Sequence, residues 1–233
     1  MALALALDVR LALAFSGAQR RPALEALYAI DAEIAAATRP GLDHAVAHAK
    51  LGWWRGEVDR LAAGRPEHPL ARTLRLHGGD GPRYARWHER LAAAELTLAG
   101  HAPGDLPALL LQVDRAEGAV QTLAAEVLEG GSDAALERFG AALGRGLGLA
   151  AALAAPGSAP DGPLPRAQLL ALARASLESA PQLLPGAPRT RQAHGLVRAT
   201  LALARLERPG PSPLVQLWLA WQSARRARQE YSA

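Results

Sequence analysis

The sequence predicts a single all-α domain, and three observations lead to this expectation. Half of the 233 residues are hydrophobic but only 4% are aromatic, so the apolar content is mainly alanine and leucine, which favour helices. Residues that favour strands are scarce, and isoleucine occurs only at Ile30 and Ile34. A chain of this length can bury a sizeable core. No repeat or shift in composition marks a second domain, so we expect residues 1–233 to form one domain.

Prolines and glycines divide the first two thirds of the chain into helical segments. A first helix has Pro22 in its first turn and ends before Pro40, and a later one begins after Asp133, a favourable N-terminal residue. The predicted helices cover residues 21–37, 44–63, 69–76, 83–98, 106–128 and 134–155. In the second of them, apolar residues at helical spacing predict one buried face, consisting of Ala47, Leu51, Trp54, Val58 and Leu61.

Proline-rich segments divide the rest of the chain. Residues 156–165, 181–188 and 209–213 separate two further helices and a final helix over residues 214–230. The sequence Gly144-Arg-Gly-Leu-Gly148 has the glycine spacing of a phosphate-binding loop, but such a loop follows a strand. Because it lies within a helical segment here, we interpret these glycines as sites of close helix packing.

Several classes of protein are excluded or disfavoured. The absence of cysteine removes disulfides, thiolate metal sites and cysteine nucleophiles. Neither GxSxG nor a P-loop motif occurs. No apolar run is long enough to cross a membrane, and the opening MALALALDVR is too short for a signal peptide. The net charge of +4 is a mild basic bias that arises almost entirely from arginine, so we expect no nucleic-acid partner.

Two small groups of residues have alternative interpretations. His44 and His48 have the spacing of two zinc ligands, but without a third ligand they are more simply exposed residues of one helix face, so we expect no metal there. In the last predicted helix, Trp218 and Trp221 precede Arg225, Arg226 and Arg228. This pattern fits a membrane or partner contact with indoles at the boundary, and it fits equally a terminal helix docked on the core.

Three segments resemble a known family. They are residues 26–37 (ALYAIDAEIAAA), 50–60 (KLGWWRGEVDR) and 64–70 (GRPEHPL), with looser similarity at 8–15, 116–120, 146–155 and 213–221. The chain resembles the squalene/phytoene synthases, and most closely a proteobacterial and mitochondrial branch with the pattern ALYAFNAEL, RLxWWRxxxDxL and GxxxHP. The resemblance implies an isoprenoid-synthase-like helical bundle with an aliphatic central cavity, in which the family condenses two isoprenoid diphosphates on Mg²⁺ held by two aspartate-rich motifs.

Neither acidic motif is present in this chain. Aligned on the family pattern, the first motif falls on Ala35, Ala36 and Arg39, and no Asp-x-x-x-Asp occurs anywhere in the sequence. The second motif should continue the helix beyond residue 155, where Pro156 begins a proline-rich segment with Asp161 as the nearest acid. Because Mg²⁺ requires oxygen ligands, we expect no catalysis by the family mechanism.

Four charged residues remain as cavity candidates. Asp31 lies on the predicted inward face of its helix and needs a partner, for which we consider Arg55 and the histidines of the following helix. The alternative to a non-catalytic protein is a divergent prenyltransferase of squalene/phytoene synthase type, in which Asp31, Glu33 and Asp59 replace the missing magnesium ligands.

The sequence therefore predicts a non-catalytic family member. We expect it to need no cofactor, since Mg²⁺ would be required only by the prenyltransferase alternative. The resemblance implies an isoprenoid or lipid ligand and a protein partner or membrane surface. By analogy, the branch assists assembly of respiratory complex I, and other relatives are partner subunits in hopanoid and carotenoid biosynthesis. We expect a cytoplasmic location, peripheral on the inner membrane.

Overall fold

The computed structural model describes residues 5–155, 165–184, 191–208 and 210–229. Within these residues the chain is all-α, and no strand occurs. The helices are α1 Leu7–Leu13, α2 Arg21–Ala36, α3 His44–Ala62, α4 Pro69–Gly78, α5 Trp87–Leu98, α6 Leu106–Val113, α7 Ala119–Glu129, α8 Ala134–Ala154, α9 Arg166–Ser179, α10 Ala193–Glu207 and α11 Pro213–Gln229. No helix among the described residues is long and apolar enough to cross a membrane.

The observed helix boundaries follow the local sequence signals. The side chains of Asp43, Asp105 and Asp133 accept hydrogen bonds from backbone N–H groups in the first turns of α3, α6 and α8. Gly130 ends α7 in the left-handed conformation, which glycine adopts at little cost. All five residues of the predicted inward face of α3 are buried, as the helical spacing indicated.

The predicted helix over residues 106–128 is interrupted. It consists of α6, a five-residue π-helical turn at Asp114–Gly118, and α7. At this turn the backbone of α8 comes very close, since a Cβ atom added to Gly144 would lie 2.5 Å from the Cα of Gly118. Arg145 of the same helix makes a two-pronged contact with Asp114, at 2.9 and 2.6 Å. The wide turn lets the chain pass α8, and such turns are frequent at functional sites.

The helices pack around several apolar clusters. The largest draws on α1 to α5 and α7, and a second lies between α7, α8, α9, α10 and the end of α11. Glycines bring α8 close to its neighbours, because a Cβ at Gly146 would collide with Leu177 of the α9 helix and one at Gly148 with Val113. The interpretation of Gly144-Arg-Gly-Leu-Gly148 as a close-packing segment is thus confirmed.

Candidate functional site

Asp31 lies where the sequence placed it but has a different partner from the ones considered. The Nε of Arg90 in α5 donates a hydrogen bond to Asp31 at 2.6 Å, and both side chains are largely buried. Arg55 is instead exposed on the outer side of α3, where it pairs with Glu95. The expected pairing of Asp31 with Arg55 or a histidine is therefore wrong, because α5 rather than α3 presents its cation to this face of α2.

The other two acidic candidates lie elsewhere. Glu33 lines an open groove between α1, α2 and α4. Asp59 is exposed, with a carboxylate oxygen 2.9 Å from Nε2 of His88. Asp31, Glu33 and Asp59 thus belong to three different environments. Across the described residues, no group of three or more His, Asp or Glu side chains is arranged to hold a metal ion.

The residues at the position of the first family motif do not provide magnesium ligands either. The side chains of Ala35 and Ala36 at the end of α2 offer no oxygen ligand, and Arg39 is exposed and carries the opposite charge to a ligand. On the other side, α8 ends at Ala154. The proline-rich segment, with Pro156 and Asp161, lies outside the described residues.

A buried polar network occupies the space between α2, α7 and α10. The hydroxyl of Tyr28 lies 2.7 Å from Nε2 of His194 and donates a hydrogen bond to Gln121 at 3.3 Å. Gln121 in turn donates to Glu117 in the π-helical turn, at 2.8 Å. The guanidinium of Arg198 lies 3.4 Å from the Tyr28 hydroxyl and 3.3 Å from Glu117. Sequence reasoning missed this network, since its members are up to 170 residues apart.

Burial determines the protonation of this network. Desolvation raises the pKa of Tyr28 and of Glu117, although the charge of Arg198 opposes both shifts. Desolvation, together with the nearby charge of Arg198, lowers the pKa of His194 to about 3, so its ring is neutral at physiological pH. Burial alone would lower the pKa of Arg198, but the nearby Tyr28, Glu117 and Asp8 raise it overall. Arg198 is thus a permanently charged group in the interior.

The network borders a cavity of about 520 Å³. One wall is aliphatic and comes mainly from α8, including Leu147 and Leu153. Charged residues also line the cavity, namely Asp8, Glu117, Arg166, Arg198 and Arg205. Arg166, at the start of α9, lies beside the aliphatic wall, where it donates a hydrogen bond to the carbonyl oxygen of Leu153 at 2.9 Å. The expectation of an aliphatic cavity was therefore correct only in part, since α1, the π-helical turn, the start of α9 and α10 bring ionised side chains to its lining.

The C-terminal helix α11 turns its large apolar residues outward. Trp218 is 54% exposed and Trp221 is 48% exposed, and Leu214 and Leu217 lie with them beside Phe15. The buried face of α11, which packs on α10 and α1, consists of Gln216, Ala220, Ala224 and Ala227. The helix is thus docked on the core, as one of the two alternatives expected, but through its small residues, and the indoles are left uncovered by the described chain. The membrane or partner contact stays a prediction.

The cations of α11 divide between two sides of the helix. At 100° per residue, Arg225 and Arg228 share the side of the indoles, whereas Arg226 lies on a flank. The guanidinium carbon of Arg225 is 5.3 Å from the centre of the Trp221 ring. Arg226 lines a smaller cavity between α9, α10 and α11. The outward face therefore combines indoles with two cations.

Trp54 and His68, which belong to the segments that resemble the family, meet at the corner between α3 and α4. Trp54 is buried in the middle of α3 and contacts the ring of His68 edge-on at 4.9 Å between centres. Between them, the fully buried Glu57 accepts hydrogen bonds at 2.8 Å from the backbone N–H groups of Glu67 and His68 and from the guanidinium of Arg60. The carboxylate fixes the loop that leads into α4. Sequence reasoning did not single out Glu57, although its position between Trp54 and Val58 on the buried face is the signal that could have found it.

Comparison with known proteins agrees with the helical architecture. The family model for squalene/phytoene synthase matches residues 8–157, well over half of the chain, and the match ends just beyond α8. No curated protein and no solved structure matches the chain. The matched range includes α2 with its ALYA segment, the α3–α4 corner, the π-helical turn and α8. The chain therefore belongs to the squalene/phytoene synthase family.

Proposed function

We propose that this protein is a non-catalytic member of its family that binds a lipid and acts as an assembly or partner factor at a membrane surface. The observation that carries the proposal is the pairing of the interior acids with arginine. Asp31 is bonded to Arg90, and Glu117 and Asp8 both lie beside Arg198. A magnesium-diphosphate site needs carboxylates that are free to bind the metal, and these are already neutralised. The partner role rests on the resemblance to the assembly-factor branch.

Product formation tests the absence of catalysis. Purified protein incubated with farnesyl or geranylgeranyl diphosphate and Mg²⁺ is expected to yield no C30 or C40 product. Substantial turnover would overturn the proposal and support the divergent prenyltransferase. That alternative also predicts magnesium-dependent diphosphate binding that Asp31→Ala abolishes, whereas the proposal predicts no dependence of binding on magnesium.

The outward face of α11 supports the membrane part of the proposal. Indoles favour the membrane interface, and nearby arginines are attracted to anionic headgroups. A protein partner would have to cover the same residues, but the cations beside Trp221 favour an anionic lipid surface.

Liposome co-sedimentation tests this surface. The protein is expected to bind vesicles that contain anionic lipid more tightly than neutral vesicles, and less tightly as salt increases. The double variant W218S/W221S should lose about tenfold or more in affinity, because two apolar side chains no longer enter the interface. Trp53→Ser is the matched control, since Trp53 is 47% exposed on α3, away from α11. Equal losses in the double variant and the control would contradict docking through α11.

A further inference from the structure

The cavity between α8 and α10 combines apolar and charged lining residues, as a binding site for a charged lipid requires. Its volume of about 520 Å³ lies within the usual range for small-molecule sites. The α8 wall presents only leucine and alanine, from Leu147 to Ala154. The α10 wall presents Arg198 and Arg205 two turns apart. A molecule that fills the cavity therefore contacts hydrocarbon on one side and guanidinium groups on the other.

The charge balance of the lining restricts the headgroup. Among the described residues, three arginines and two acids line the cavity, so these five leave one positive charge over when all are ionised. Asp8 lies 3.8 Å from Arg198 and 3.6 Å from Arg205, and Glu117 also lies near Arg198. A diphosphate carries more negative charge than this lining can neutralise, and the described residues offer no metal site to make up the difference. A headgroup with a single negative charge matches the balance.

One of the lining arginines, Arg198, also has a hydrogen-bond donor without an acceptor among the described residues. The residue is buried, and this donor is its Nε–H group. A buried charged donor without a partner is costly, and a negative charge close to this guanidinium would offset part of that cost. Arg205 is partly exposed and reaches the cavity from the following turns of α10.

We infer that this cavity binds a single-chain lipid with a singly charged acidic headgroup, without a metal ion. The headgroup lies against Arg198 and Arg205, and the chain lies along the leucine and alanine wall of α8. This inference rests on the proposed lipid-binding function and narrows its ligand, since the family's own substrates are diphosphates that require magnesium.

Calorimetric titration with C16 ligands tests the headgroup. The full-length protein is expected to bind hexadecanoate below its critical micelle concentration, and to bind the matching C16 alcohol and C16 trimethylammonium at least tenfold more weakly. Farnesyl diphosphate, with or without Mg²⁺, should bind no more tightly than hexadecanoate. Equal binding of the acid and the alcohol would overturn the inference, as would tight binding that appears only with diphosphate and Mg²⁺.

Two variants and one competitor test the location. Arg205→Gln should weaken hexadecanoate about tenfold, whereas Arg174→Gln on the exposed side of α9 is the matched control and should have no effect. Ala150→Phe places a ring in the cavity and should abolish binding of the acid, with an unchanged helical circular dichroism spectrum. Millimolar inorganic phosphate should not displace hexadecanoate, and displacement would show that the arginines bind a free anion instead of a lipid.

The outcomes separate the inference from the proposed function. If hexadecanoate does not bind while the protein forms no C30 or C40 product and still binds anionic vesicles, the inference is wrong and the proposed function stands. If isoprenoid product forms, the proposed function is wrong whatever hexadecanoate does.

Discussion

Glu57 fixes the corner between α3 and α4, and its replacement by alanine is expected to destabilise the fold by about 3 kcal/mol. The carboxylate is fully buried and is the acceptor for two backbone N–H groups and one guanidinium. Each N–H left without an acceptor costs about 1 kcal/mol here, at the low end of the usual range because both amides are only partly buried. The remainder comes from the space left in the core and from the lost charged hydrogen bond with Arg60, which stays small because Arg60 reaches water.

Urea unfolding monitored by circular dichroism at 222 nm measures this loss. With a slope of roughly 3 kcal/mol per molar, typical for a chain of this size, Glu57→Ala should lower the unfolding midpoint by about 1 M. Glu57→Gln keeps an acceptor oxygen for both amides but turns an NH₂ group toward Arg60, so a smaller loss of about 1 kcal/mol is expected.

Glu67 provides the matched control for this prediction. It contacts the same Arg60 at 3.6 Å but is 73% exposed, so Glu67→Ala should change the free energy of unfolding by less than about 0.5 kcal/mol. Equal destabilisation by the alanine variants of Glu57 and Glu67 would refute the reasoning, since it would show that the buried hydrogen bonds contribute nothing beyond the surface ion pair.

Three further predictions concern packing, protonation and metal. Gly144→Ala should lower the melting temperature because its Cβ would meet the backbone of Gly118, whereas Gly52→Ala, with open space around it, should raise it; a gain in both variants would contradict the close packing of α8. Burial lowers the pKa of His194 to about 3 in the folded state, so its ring stays neutral above that pH. In the unfolded chain the same ring takes up a proton below a pH of about 6.5. The free energy of unfolding therefore falls as the pH decreases from 6.5 to 3, and His194→Gln should make this fall smaller in urea titrations across that range; an identical pH profile would exclude a contribution from His194. Millimolar Mg²⁺ should leave the melting temperature unchanged, and a clear rise would reveal a metal site that the described residues do not contain.

The sequence was sufficient for the fold class and for most helix boundaries because these depend on local signals. Alanine and leucine content, N-terminal aspartates, and proline and glycine positions act within a few residues of where they occur. The inward face of α3 was equally predictable, since helical spacing alone places its five residues together. The π-helical turn at Asp114–Gly118 was not predictable in this way, because it depends on the approach of Gly144 from another helix.

For the candidate site, the sequence was sufficient to predict that the acids of the family motifs are missing, but not which residues the remaining acids contact. Which residues align with the family motif is a property of the sequence, but which cation neutralises Asp31 depends on how α2 and α5 pack, since the partners are 59 positions apart in the chain. The same limit applies to α11. Helical spacing identifies two possible stripes, one of leucine and tryptophan and one of alanine, and hydrophobicity favours burial of the larger residues. The structure instead buries the alanine stripe, which packs against α10 and α1. In α11 the less hydrophobic alanine stripe is buried, whereas the more hydrophobic stripe of leucine and tryptophan is exposed. This exposed apolar surface is the physical reason to look for a further apolar surface that covers it.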